Sequence, residues 1–147
     1  MDIAEIVDNF ELLGDWDARY AYLVELGVAL SPMREEARVD ANRVKPCMSQ
    51  LWVHACEDPE MPGSIRYEGD CDTAVIKGVL ALLIGLLSGR TADEIESMDL
   101  DDMFDRLKLA ENLSPNRHVG IYAIVGQMKA QARALGQSSL PRQASMQ

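Results

Sequence analysis

The sequence predicts an α+β fold in which a small antiparallel sheet is covered by helices on one side. Three observations predict it. Apolar residues recur at helical spacing between Ile3 and Leu26 and again after Thr73. Apolar and polar residues alternate from Ser49 to Cys56 and from Ser64 to Glu68. The turn-forming run Asp58-Pro59-Glu60-Met61-Pro62-Gly63 joins the two alternating stretches, so they pair as a hairpin. Helices, a strand pair, then helices again is the order of an α+β domain, and 147 residues suffice for one core.

The elements follow in order. Ile3, Ile6, Val7, Phe10 and Leu13 share a helical face, with Asp2 as N-cap and Glu5 completing a box-like start; this helix ends near Gly14. Asp15 caps a second helix through Trp16, Tyr20, Leu23, Val24 and Leu26, with Gly27 expected as its left-handed stop, and the two form a helical hairpin. From Ser31 to Pro46 the chain is polar, a long surface segment with room for one helical turn. In the first strand Leu51, Val53 and Ala55 face one way and Gln50, Trp52 and His54 the other; in the second, Ile65 and Tyr67 oppose Arg66 and Glu68. Gly69-Asp70-Cys71-Asp72 reads as punctuation before Thr73–Ser88, a helix apolar on nearly every side and ended by Gly89. Gly78 and Gly85 within it permit close approach of another element. Thr91-Ala92-Asp93-Glu94 is a capping box opening a short helix to Met98, and Asp99 caps another through Leu107. Ser114-Pro115 opens the last helix, through Ile121, Ile124, Val125, Met128 and Leu135 to Gly136. Residues 1–136 are expected as one domain and 137–147 as a disordered tail. Pattern alone places no third strand.

The formal net charge of −10 argues against nucleic acid and anionic membrane as partners, because phosphate contacts need clustered Lys and Arg. The acids from Asp93 to Glu111 suit a solvated face or a basic partner. No basic-then-apolar leader is visible, and the longest apolar stretch, around Val79 to Leu87, is too short to span a bilayer, so a cytoplasmic location is expected. In that reducing compartment Cys47, Cys56 and Cys71 are thiols, serving chemistry or packing.

Cys47 is the candidate for chemistry. It lies at the end of the polar loop, just before a strand, with Arg43 and Lys45 nearby to favour the thiolate over a reference pKa of about 8.5. A Cys-His hydrolase would need a base: His54 lies along the same strand, roughly 23 Å away when extended at about 3.3 Å per residue, leaving His118 to approach from elsewhere. A metal or iron-sulfur scaffold would use Cys47, Cys56 and Cys71 with Asp70, Asp72 or a histidine, but no Cys-x2-Cys pair is present. A structural adaptor, in which no thiol works, is the third alternative.

Three ordered motifs go beyond these local readings: Arg43-Val44-Lys45-Pro46-Cys47-Met48-Ser49-Gln50-Leu51-Trp52; Gly69-Asp70-Cys71-Asp72 with Val75-Ile76-Lys77-Gly78; and Leu113-Ser114-Pro115-Asn116-Arg117. Together with Trp16, Tyr20, Leu23 and Leu26-Gly27 they resemble the SufE-like family of sulfur acceptors over roughly residues 3 to 135. The resemblance implies a three-stranded antiparallel sheet flanked by helices, similar to the iron-sulfur scaffold (IscU-like) fold. It implies that Cys47 carries a persulfide received from a pyridoxal-phosphate-dependent cysteine desulfurase, which the protein stimulates, and passes the sulfur toward an iron-sulfur assembly scaffold. It implies no cofactor in this chain, pyridoxal phosphate belonging to the desulfurase. Lys45, Gln50, Trp52, Asp72, Lys77 and Arg117 are the implied supporting or partner-binding residues. The chain departs from the family at Pro46, where glycine is usual, and at Cys71, where serine is common. A shielded persulfide would need Cys47 under apolar side chains, with Met48, Leu51 and Trp52 as candidate neighbours, until docking swings it out.

Overall fold

The computed structural model describes residues 3–47, 49–109 and 115–145, with side chains described for 4–47, 49–109 and 119–136. Helices α1 (Ile3–Leu12) and α2 (Trp16–Ala29) are joined by a three-residue link. Asp15 caps α2 by accepting the Ala18 N–H at 2.9 Å. Arg19 Nε donates to the Phe10 and Leu13 carbonyls at 3.0 and 2.8 Å, satisfying orphan acceptors at the end of α1. The Asp2 cap falls outside the described residues.

Strands β1 (Leu51–Glu57) and β2 (Ser64–Cys71) pair antiparallel, Leu51 opposite Cys71 and Glu57 opposite Ile65. β2 runs three residues further than the alternation predicts: Gly69 does not break the strand, because a Cβ there would lie 2.8 Å from the Trp52 carbonyl oxygen and only glycine lets the two backbones lie so close. α3 (Ala74–Leu87) follows, and Gly89, at φ +85°, turns the chain back so that β3 (Arg90–Thr91) pairs with Ser64 and Ile65. The sheet is therefore three-stranded and antiparallel, in the order β1-β2-β3.

α4 (Ala92–Ser97) opens with the full capping box, Thr91 Oγ1 accepting the Glu94 N–H and Glu94 accepting the Thr91 N–H. α5 (Asp101–Leu107) ends at Lys108, the one described non-glycine residue with positive φ. The last helix, α6 (Pro115–Ser145), continues past Gly136, where the pattern stops it. The capping Ser114 lies outside the described residues.

The core sits between the inner sheet face and the helices. Leu51, Val53, Ala55, Ile65, Tyr67 and Cys71 line that face, and α3 contributes Ile76, Val79, Leu80, Leu82, Leu83 and Leu87, all buried. Each such aliphatic side chain contributes about 1.5–3 kcal/mol. α6 packs along β1, where Gln131 Nε2 donates to the unpaired Val53 carbonyl at 2.8 Å, and Tyr67 donates from β2 to the Met128 carbonyl at 2.6 Å. Burial pushes the Tyr67 hydroxyl pKa up, so it remains a donor.

α2 and α3 cross in contact. The sequence expects Gly27 to stop α2 in a left-handed conformation; instead it is buried inside the helix, where a Cβ would lie 3.0 Å from the Gly78 nitrogen. The glycine expected as a cap is a packing residue, and α2 ends at Ala29. Gly78 has the close-approach role expected of it, while Gly85 borders a cleft between α2, β2 and α3.

Candidate functional site

The polar segment after α2 covers the outer face of the sheet with two short 3-10 turns, Glu35–Ala37 and Asp40–Asn42. Its charges hold it there. Arg34 makes a forked ion pair with Glu68 at 2.7–3.2 Å, Arg38 meets Asp70 at 2.6 Å, and the Arg38 guanidinium lies 5.1 Å from the Trp52 ring centroid.

The segment then closes the loop that carries Cys47. Arg43 bridges to Trp52, and the Val44 N–H donates to the Leu51 carbonyl at 2.9 Å. A turn follows, with the Cys47 N–H donating to the Val44 carbonyl at 3.2 Å. Pro46 lies inside this turn, where its missing N–H leaves no bond unmade because Cys47 is the donor. The loop thus needs no glycine at 46.

Across the sheet end the loop is stapled to the start of α3. Gln50 N–H donates to Asp72 Oδ1 at 3.0 Å, the Asp72 N–H returns a bond to the Gln50 carbonyl at 3.1 Å, and the Ser49 and Thr73 hydroxyls are hydrogen-bonded. On the other side Gln127 of α6 donates to the Asn42 carbonyl at 3.1 Å. Cys47 itself is 8 % exposed, and α6 passes over it at Gly120, where a Cβ would stand 3.2 Å from the Cys47 sulfur.

Several expected site residues converge here. Gln50 and Asp72 form the staple just described, and Asp72 is not the N-cap of α3: Thr73 holds that position without a side-chain cap bond. Lys45 points to solvent and pairs with Asp40 at 3.1 Å, an exposed contact of small energy. Arg43 Nε is buried with no hydrogen-bond partner among the described residues. Trp52 faces outward beneath Arg38, away from the thiol, and Lys77 binds Asp70 at 3.1 Å. Arg117 stands in the first turn of α6, with its side chain, like that of His118, outside the described set; Met48 lies wholly outside it. His54 sits on β1 opposite Glu68 and Cys56 opposite Arg66, both on the strand face turned from the core.

Two further residues complete the site, of which Gly120 is not expected from the sequence and Cys71 is expected only as a scaffold ligand or a replacement for serine. Gly120 forms the roof over Cys47, and its only signal is a lone glycine inside a helical pattern. Cys71 closes the inner face at the same end of the sheet. Burial pushes its thiol up to about 11; the Thr73 N–H opposes this at 3.4 Å, and the negative charges of Cys47, Asp72 and Asp70 add to the rise. Cys71 is therefore protonated at neutral pH. Among the described residues no three His, Cys, Asp or Glu side chains group to hold a metal ion.

Asp70 anchors the outer side of the site. Burial pushes its carboxyl up, but hydrogen bonds from Lys77 and the Cys71 N–H, with the charges of Lys77 and Arg38, outweigh it and hold it below the usual range. A lowered carboxyl pKa stabilises the fold above the unfolded value of about 3.9, and that stability is lost as pH falls through the folded value. Asp70→Asn should cost about 1–3 kcal/mol at neutral pH. Urea unfolding near neutrality and well below the carboxylate range should show the gap close in acid; a gap that persisted there would assign it to packing.

A cleft of about 540 Å3 lies between the end of α2, the β2 edge and α3, and none of the residues lining it belongs to the Cys47 loop. No helix among the described residues is long and apolar enough to cross a membrane.

The chain is similar to several known proteins. An uncharacterized SufE-like protein of Rhizobium etli is 38 % identical over 131 residues, 88 % of each chain. Another from Rhizobium meliloti is 36 % identical over 130 residues, 87 % of this chain and 92 % of that one. The solution structure of a hypothetical protein from Thermus thermophilus superposes with a TM-score of 0.65 at 20 % identity, covering 90 % of this chain and 93 % of that one, and so shares the fold. The family model described as "SufE: Fe-S metabolism associated domain" matches residues 4–132, and the chain belongs to the SufE family.

Proposed function

We propose that the protein is a sulfur acceptor that takes sulfane sulfur from the persulfide of a pyridoxal-phosphate-dependent cysteine desulfurase onto Cys47, stimulates that enzyme by emptying its active cysteine, and relays the sulfur toward iron-sulfur cluster assembly. Family membership supports the reaction class. The observation that carries it to one residue is the Cys47 loop, a short turn held at both flanks and shielded beneath α6.

Cys47 thiolate attacks the outer sulfur of the donor persulfide. A new sulfur–sulfur bond forms on Cys47, the donor's bond breaks, and its cysteine leaves as thiolate. The acceptor needs a reachable thiolate of moderate pKa and no neighbouring base. Shielding keeps the new persulfide from reductants, so docking must draw the turn out from under Gly120 before transfer. The net charge of −10 fits a protein partner and not a nucleic acid or an anionic membrane, and the cytoplasm is the matching compartment. A three-cysteine scaffold is disfavoured because Cys56 lies on the sheet face opposite Cys71.

Incubation with a cysteine desulfurase and free cysteine, followed by intact-mass and peptide analysis, should show one added sulfur atom on Cys47. Cys47→Ser should accept none and abolish the stimulation while unfolding at the same denaturant concentration. Sulfur retained by that variant, or added to Cys56, would defeat the assignment.

A further inference from the structure

We propose that Cys47 and Cys71 form a reversible intramolecular disulfide when the protein meets a peroxide. Three consecutive links bring the two residues together. Cys71 stands opposite Leu51 in the sheet register, the Leu51 carbonyl accepts the Val44 N–H at 2.9 Å, and the Val44 carbonyl accepts the Cys47 N–H at 3.2 Å. Both side chains belong to the same buried cluster, 8 % and 6 % exposed. Cys56 is excluded, since its side chain projects from the opposite face of β1.

The chemistry balances with a peroxide as the oxidant. Cys47 thiolate attacks one peroxide oxygen, the O–O bond breaks, and Cys47 sulfenic acid forms with hydroxide as leaving group. The Cys71 sulfur then attacks the Cys47 sulfur; the S–O bond breaks and the displaced hydroxide leaves as water with the Cys71 proton. In sum two thiols lose two protons and two electrons, the peroxide becomes two water molecules, and a dithiol reverses the step. A thiol so tied cannot accept sulfur, and it is protected from irreversible oxidation. The reaction needs only this chain and an oxidant, so it stands apart from the sulfur-acceptor reading.

The test treats the full-length protein with stoichiometric hydrogen peroxide, blocks free thiols and measures intact mass without reductant. The expected result is a monomer lighter by two hydrogens with one alkylated thiol, a Cys47–Cys71 linked peptide on digestion, and full recovery with dithiothreitol. Cys56→Ser should close like the parent. Cys71→Ser should instead stop at Cys47 sulfenic acid, trapped by dimedone, and pass to sulfinic acid only with a second equivalent of peroxide. An oxidised parent in which Cys71 is still alkylated, or whose disulfides link separate chains, would overturn the proposal; the measurement on the parent decides it even if Cys71→Ser folds poorly.

Discussion

Gly78→Ala is expected to lower the stability of the fold by about 3 kcal/mol, the upper range for overpacking in a well-packed core. The added Cβ would stand 2.0 Å from the Leu23 carbonyl oxygen, 2.5 Å from its carbon and 2.9 Å from its Cα. All three atoms are backbone, so no rotamer change relieves the clash, and α2 must lift from α3 along their whole crossing. That crossing also seats Gly27, whose neighbour Lys77 binds Asp70, so the displacement reaches the outer edge of the site. A suitable control is Gly126→Ala, an exposed position in α6 where a Cβ meets nothing within 4 Å. There the better helix propensity of alanine should add about 0.5–1 kcal/mol. Thermal unfolding should therefore move in opposite directions for the same chemical change, with about 2–4 °C for each kcal/mol. A Gly78→Ala protein as stable as the parent would show that the helices do not cross this closely in solution.

The contrast between these glycines shows where the sequence is legible and where it is not. Helical periodicity locates α3 because nearly every position is apolar, and alternation locates β1 because Leu51, Val53 and Ala55 face the core together. The caps at Asp15 and Thr91 act through side chains one helical turn from their targets, so local sequence contains both partners. Gly27 looks like a helix stop because a glycine at a C-terminus and a glycine in a helix crossing have the same identity; only the partner helix distinguishes them. β3 is two residues long, too short for any period to be visible, and it exists because Gly89 redirects the chain onto β2. Within the site, the motifs that resemble the SufE family point to Cys47, and the staple between Gln50 and Asp72 joins two of those motifs in space. The roof at Gly120 and the approach of Cys71 depend on how α6 and β2 meet the loop, and neither leaves a signature in spacing.

Gly120→Ala should increase the rate at which a small alkylating reagent modifies Cys47 about five-fold or more, with little change in global stability. In the parent the reagent reaches the thiol only when the turn opens, so the observed rate is the intrinsic rate multiplied by the open fraction. The new Cβ would stand 3.2 Å from the Cys47 sulfur and 3.5 Å from its Cα and Cβ. The side chain must yield by a few tenths of an ångström, weakening the closed loop by about 1 kcal/mol, which is a factor of about five in the open fraction. Alanine also raises the helix propensity of α6 by up to about 1 kcal/mol, offsetting the strain in a global unfolding measurement. Gly120→Leu carries the effect further, displacing the turn and costing about 1–3 kcal/mol overall. Under the sulfur-acceptor reading the same variants should load sulfur from the desulfurase faster and lose it faster to a free thiol, because one roof controls both entry and shielding. An alkylation rate unchanged in both variants would mean that α6 does not cover Cys47, and the shielding argument would fall with it.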